Sequence, residues 1–301
     1  MAVTMIRAQI PDLFASRLAY LFHVMFEEFE APDTTYDQVF NVKNSTRGYE
    51  EMTGVTGFDQ FEQRDEAAPV TYDQLLQEFD KRLTHVTWAK GFQISMEANE
   101  DDLDNVISNG GPALARSAKN TIETDAYGDF ANGFGSVTTP DGVSLFNTAH
   151  VLRGGGTFSN RINGDLSQST LEQAINIFDT MRDGRNQLIK TGPARLLIPP
   201  QLRWLAHELL KSQQRSDTAD NAVNALVQVP LSIIMTPYLT NTTDWFVLSE
   251  PSRHKLVYWW RREPVVDHAV DFDTDTIKTK MTFRNSHGAY DWRNLVGGDG
   301  T

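Results

Sequence analysis

The sequence predicts an α+β fold, and three observations carry that prediction. A strand in which Val86, Trp88, Phe92 and Ile94 share one parity runs directly into a helical stretch over 96–131. A middle region alternates amphipathic helices with short apolar strands. From residue 255 onward the chain is almost wholly strand-like.

Each element has a local reason. Within the first strand Gly91 reads as a bulge. Asn99, with Asp102 three residues on, reads as the N-cap of the following helix. Gly110-Gly111-Pro112 breaks or kinks that helix, and Pro112 suits the first turn of its continuation. There Leu114, Ala118, Ile122, Ala126 and Phe130 recur every fourth residue, which lays one apolar stripe along a long spine.

In the middle region Ser169-Thr170-Leu171-Glu172 reads as a capping box, with Leu171, Ile175, Phe178 and Met181 inward. Arg195–Ile198 is a buried strand, and Pro199-Pro200 opens a helix through Leu210. Residues 212–224 are a polar loop, followed by short strands at Leu226–Val229, Ile233–Thr236 and Trp245–Leu248. The closing strands are Lys255–Trp260, Val265–Val270, Ile277–Phe283 and Gly288–Arg293. Ile277, Thr279, Met281 and Phe283 alternate with polar residues, so that strand has one solvated face.

Two segments precede this body. Leu13, Leu18, Leu21, Phe22, Met25, Phe26 and Phe29 form a helical stripe that Pro32 ends. From Arg47 to Asp80 the chain is acidic and Gly-punctuated, yet it carries Tyr49, Phe58, Phe61 and Tyr72. It is too long for an ordinary connection and too aromatic for a disordered linker. The expectation is an extended arm that orders on a neighbour.

Composition narrows the function. The 301 residues are 40% hydrophobic and 22% charged, enough for a real core. No run of about 18 apolar residues is present, so no membrane span is expected. Arg7, Asp12 and Arg17 interrupt the N-terminal apolar residues, which argues against a signal peptide. The absence of cysteine excludes disulfides and thiolate metal sites and fits a protein made in a reducing cytosol. The net charge of −13 is uneven: residues 1–104 hold 20 acidic and 8 basic side chains, the remainder 20 and 19. So acidic a chain is a poor wrapper of nucleic acid, and its surplus reads first as solubility.

The segment Leu145–Asn160, LFNTAHVLRGGGTFSN, is the best candidate for chemistry, because glycines beside His and Arg can cradle an anion. It lacks the Gly-Lys-Ser/Thr of a phosphate loop, and the chain holds no Gly-x-Ser-x-Gly elbow. His207-Glu208 opens like a zinc-protease helix, but Lys211 stands where the second histidine must be. Asp271-x-Asp273-x-Asp275 lacks the glycine and closing glutamate of a calcium loop, with Thr276 and Thr282 in their places. His150 is either a general base or a histidine bonded to loop backbone, and without an evident acid or nucleophile the second reading leads. Gly154, Gly155 and Gly156 then serve a turn at positive φ. In Trp259-Trp260-Arg261-Arg262 one tryptophan faces inward and one lies at a surface, a pattern that also suits a protein contact. No pair of carboxylates is tied to opposite acid and base roles.

The order of parts resembles the major capsid proteins of tailed bacteriophages, the Hong Kong-type capsid fold, and more closely the Mu-like prophage major head subunit family. The residues that carry this are Leu145-Phe146 through His150 to Gly154-Gly155-Gly156 and Ser159-Asn160. To these are added Pro199-Pro200-Gln201-Leu202, Pro237-Tyr238-Leu239 with Trp245, and Tyr290-Asp291-Trp292-Arg293. The resemblance implies an N-terminal arm over 1–45 and an extended loop over 46–83. It implies a peripheral domain over 84–159 and 255–301 with the spine helix at about 96–131, and an axial α/β domain over 160–254.

It further implies a structural subunit, not an enzyme, with no cofactor. That subunit self-assembles as pentamers and hexamers into an icosahedral shell around double-stranded DNA held without sequence-specific binding. The protein then resides in the virion, is assembled in the bacterial host cytoplasm, and works with a separate scaffold protein and a portal and without a membrane. Tyr49, Phe58, Phe61, Tyr72, Trp259, Arg261 and Arg262 become candidate inter-subunit contacts. Phe146, His150, Gly154, Gly155, Gly156 and Asn160 become a structural loop. Some relatives cross-link a loop lysine to an asparagine; here the loop holds only Lys81, near its base, so non-covalent assembly is expected. The competing readings are a hydrolase or transferase built on His150 and the glycine loop, and a head-completion or tail structural protein.

Overall fold

The computed structural model describes residues 34–100, 110–212 and 224–300. The helical stripe at 5–29, Asp102 and nearly all of loop 212–224 lie outside the described residues.

In chain order the strands are β1 (Asn41–Asn44), β2 (Tyr49–Val55), β3 (Gln77–Thr84), β4 (Val86–Ser95), β5 (His150–Val151), β6 (Thr157–Phe158) and β7 (Arg161–Asn163). They continue with β8 (Arg195–Ile198), β9 (Ser232–Met235), β10 (Trp245–Leu248), β11 (Leu256–Asp271), β12 (Thr276–Ala289) and β13 (Leu295–Asp299). The helices are α1 (Tyr36–Val39), α2 (Met96–Glu100), α3 (Gly110–Ala131), α4 (Gln168–Asp179) and α5 (Arg203–Lys211). One sheet has the order β1-β11-β12-β4 and a second the order β7-β13-β10-β8-β9, while β2-β3 and β5-β6 are separate two-stranded pairs.

The second sheet is the centre of the molecule, because its strands are apolar on both faces. In β10 all four residues are buried: Phe246 and Leu248 join one core, Trp245 and Val247 the other. The same alternation runs through Leu196, Leu197 and Ile198 of β8 and through Leu295 and Val296 of β13. The first core lies under α3, whose stripe Leu114, Ala118, Ile122, Ala126 and Phe130 is buried as its spacing predicts. The second lies under α4 and α5, with Leu171, Phe178, Ala206 and Leu210.

The strap at 34–44 is fastened to α3. The Glu123 carboxylate accepts the backbone N–H of Thr35 at 2.6 Å, the N–H of Tyr36 at 3.2 Å and the Thr35 hydroxyl at 3.0 Å. Burial holds this carboxyl above its ordinary range, against the lowering effect of those bonds. Beyond α1, β1 adds in parallel to β11.

Several local expectations are corrected. Gly91 is not a bulge: β4 and β12 pair in continuous register from Ser95 to Val86, and a Cβ at Gly91 would sit 2.6 Å from the Thr279 carbonyl. Close strand approach is what needs the glycine. The register breaks lie instead in β11, around Arg262. The helix after β4 starts at Met96 rather than after Asn99, and Ser95 Oγ accepts the Ala98 N–H at 3.3 Å. The capping box sits two residues early, with Ser167 as N-cap and Thr170 as its reciprocal partner. The run Ser167-Gln168-Ser169-Thr170 offers several caps, and only the backbone turn selects among them. Ala225–Gln228 is a 3-10 turn, not a strand. Lys255–Trp260 and Val265–Val270 are halves of the single strand β11. Gly288–Arg293 is not a strand: β12 ends at Ala289, and the chain turns before β13.

Candidate functional site: a buried histidine pin and an exposed hairpin

The Leu145–Asn160 segment closes over a polar cluster that is sealed from solvent. His150 is fully buried, with Nδ1 2.7 Å from the Asp141 carboxylate and Nε2 3.0 Å from Asn160 Oδ1. The orientation of the Asn160 amide is fixed by its neighbours. Its Nδ2 donates to the carbonyls of Leu145 at 2.9 Å and Leu295 at 3.2 Å, while Oδ1 accepts the Asn147 N–H at 2.8 Å. His150 therefore faces an acceptor oxygen at each ring nitrogen. Burial raises the Asp141 carboxyl, but hydrogen bonds from His150 and Thr139, and the charge on His150, outweigh it and set it below its ordinary value.

Asp141 is the acid that sequence spacing missed. Its signal was the Pro140-Asp141-Gly142 turn, in which Gly142 adopts φ +85°. The Asp–His pair has the first two members of a nucleophile-activating triad. Its third partner is a carboxamide, and no hydroxyl or thiol meets Nε2. With both nitrogens engaged and no solvent access, His150 cannot take a proton from a substrate. Its ring stacks on Trp292 at 4.4 Å, and Phe158 also stacks on that indole, at 5.6 Å. The cluster pins the loop to the C-terminal turn.

The rest of the loop is equally architectural. Phe146 is fully buried among Phe130, Phe134 and Phe246. It occupies the space of two missing side chains: a Cβ at Gly133 would approach it to 2.8 Å and one at Gly297 to 2.6 Å. Gly155 and Gly156 adopt φ +98° and +86°. Gly154 is required for a different reason, since its Cβ would lie 3.1 Å from Arg185 Cα.

A partly buried histidine ties α3 to the first sheet. His287 Nδ1 lies 2.8 Å from Asp129 and Nε2 3.1 Å from Asp125. Burial opposes its charge, but the two carboxylates overcome this and push its pKa up to about 10. Among the described residues no group of three or more His, Asp or Glu could hold a metal ion, and no helix is long and apolar enough to cross a membrane.

The candidate contact residues divide by place. β2 and β3 form an antiparallel hairpin base, from which residues 56–76 extend. Phe61 and Tyr72 there are 107% and 92% exposed, Phe58 is 59% exposed, and Tyr49, at the base, carries the Arg82 guanidinium 3.8 Å above its ring. Trp259 is half-buried against the small cluster Leu83, Val257 and Tyr290, with Met52 of β2, so much of its ring is covered by its own chain. Trp260 faces the main core, and Arg261 and Arg262 are exposed at the break in β11.

A family model described as "Phage capsid protein" matches residues 78–296. The fold is similar to that in the capsid structure of the cyanophage P-SCSP1u, with TM-score 0.62 and 11% identity over 89% of this chain and 88% of that one. It is also similar to the capsid of bacteriophage JBD30 decorated with minor capsid protein trimers (TM-score 0.60, 14% identity, 79% of this chain and 100% of that one). The capsid of the Myoviridae phage XM1 aligns at TM-score 0.56 and 14% identity over 89% and 92%. No curated protein sequence matches the chain.

Proposed function

Because the chain belongs to the phage capsid protein family and is a structural subunit of the virion shell, we propose that copies of it close into an icosahedral shell of pentamers and hexamers by laying the hairpin loop of each subunit on its neighbours. The observation that carries this reading is the pair Phe61 and Tyr72, left almost wholly in solvent on an acidic segment where Phe58, Val70 and Leu75 are exposed as well. Burying such side chains only on docking keeps the free subunit soluble and gives each contact a modest strength, so misplaced copies can leave before the shell closes.

The proposal assigns 1–45 to an arm, 46–83 to the extended loop, 84–159 with the β11–β12 region to a peripheral unit, and 160–254 to an axial unit. Strand β13 pairs with β7 and β10, so in this reading 295–299 joins the axial sheet. Assembly is non-covalent, since Lys81 lies at the hairpin base and its Nζ is engaged 2.5 Å from the Thr138 carbonyl. The shell encloses double-stranded DNA without reading its sequence, and a separate scaffold and a portal act with it in the host cytoplasm. Membership of the Mu-like head-subunit group is supported by the order of the motifs from Leu145 to Trp292.

Electron microscopy of the purified full chain tests the central claim. Shells, rings or tubes are expected, dissociating to single chains on a denaturing gel. A strictly monomeric protein at high concentration overturns it. Deleting residues 57–75 should leave a folded subunit that builds no stable shell.

A further inference from the structure

The hairpin loop is fastened to its own subunit by a set of polar contacts, and we propose that this fastening is a positioning clamp that presets the angle of the loop in the free subunit; the inference rests on the reading that the loop docks on neighbouring copies. The clamp is the turn between Arg182 and Leu188, which bridge each other across it. Asp183 Oδ1 shapes the turn by accepting the N–H groups of Arg185 and Gln187, each at 2.8 Å.

From this turn Arg185, only 12% exposed in its side chain, reaches Asp73 at 3.1 Å, Asp59 at 3.5 Å and the Gln74 carbonyl. Gln187 Nε2 donates to the Phe58 carbonyl at 2.9 Å. Nearer the base, Glu78 of β3 lies 3.5 Å from Arg293 and fills the space beside Gly184, where a Cβ would fall on its carboxylate. Both limbs of the loop are thus held, at 58–59 and at 73–78.

The triple-glycine loop backs the clamp. The Gly154 N–H donates to the Gly184 carbonyl at 2.6 Å, and the absence of a side chain at 154 lets the turn sit against it. Arg153 lies 5.9 Å above the Phe79 ring of β3. Glycines that resemble an anion cradle are here the seat of a turn.

None of these contacts uses Phe61 or Tyr72. A contact that blocked assembly would cover the apolar side chains, whereas this one leaves them out. A loop held in place before docking loses less conformational freedom when it docks, so the clamp favours assembly.

The test uses the full chain with Arg185→Ala, and with Arg185→Asp alone and combined with Asp73→Arg. Amide hydrogen exchange over 56–76 in the unassembled subunit should quicken about three- to tenfold on loss of Arg185, the scale of a small ion-pair network. Exchange in β8 and β10 should not change, which reports an intact fold. The concentration needed for assembly should rise severalfold, and the charge swap should recover part of both effects. Unchanged exchange in the loop overturns the clamp. A loosened loop that assembles at lower concentration makes the contact an inhibitory latch and overturns the inference as stated. Failure of the unmodified chain to assemble overturns the shell reading instead.

Discussion

The ring of His150 lies against the indole of Trp292, with 4.4 Å between centroids and 15° between planes. His150 is held between Asp141 and Asn160 and faced by an aromatic surface in a buried site. Removing His150 leaves the buried Asp141 carboxylate without its partner. His150→Ala should therefore cost about 3–5 kcal/mol of subunit stability, read by denaturant unfolding. Asp141→Asn should cost a comparable amount. Selective appearance or loss of a hydrolytic activity in folded variants would contradict the structural role.

The His287 pair gives a pH dependence with a definite sign. The folded pKa, about 10, lies above the free value of 6.5. The stabilisation is fully present below pH 6.5 and is lost as pH rises through about 10. Melting temperature should fall across that interval. His287→Gln should be less stable at neutral pH and flatter in its alkaline response.

Asp244 behaves in the opposite way. Burial first, and then the nearby Asp299, raise its pKa from 3.8 to about 6. Its ionised form is a cost, which grows as pH rises from 3.8 to about 6 and stays in force above that. Asp244→Asn keeps an oxygen for the Asn241 amide, which donates at 2.8 Å. It should raise stability at pH 7 by about 1–2 kcal/mol, with no gain at pH 3.5. Equal stability of the two proteins at pH 7 would count against it.

Gly297→Ala places a methyl 2.6 Å from Phe146 Cγ. Overpacking of this kind costs about 1–3 kcal/mol. Phe146→Leu alone should also destabilise, while the double variant should lose less than the two single losses combined, as a double-mutant cycle would reveal.

Phe61→Ser and Tyr72→Ser should change subunit stability by less than about 0.5 kcal/mol, because both side chains are in solvent. Light scattering should nevertheless show weaker assembly. A loss of stability with assembly intact would show that the two side chains serve the fold instead.

What sequence reading could reach follows from the range of each interaction. The α3 stripe, the buried strands β8 and β10, and the glycines at 155 and 156 express local periodicity or local backbone geometry, and they were legible. Partners separated along the chain were not. Asp141 lies nine residues from His150, and Trp292 lies far beyond it, so spacing gave no reason to join them. Nor could it show that Gly154 meets Gly184, or that Glu78 takes the space its side chain would fill. Gly91 shows the limit most plainly: a glycine in a strand signals either a bulge or a close approach, and only the opposing strand decides which.

The central sheet serves two cores through alternate residues of the same strands. Phe246 answers to α3, while its neighbour Val247 answers to α4 and α5. No hinge can open between the two halves without stripping one face of β10. Each subunit must therefore behave mechanically as a solid tile. When a shell of such tiles swells, flattens or resists internal pressure, the deformation has to be taken up at the seams between tiles and in the slender loop that reaches across them.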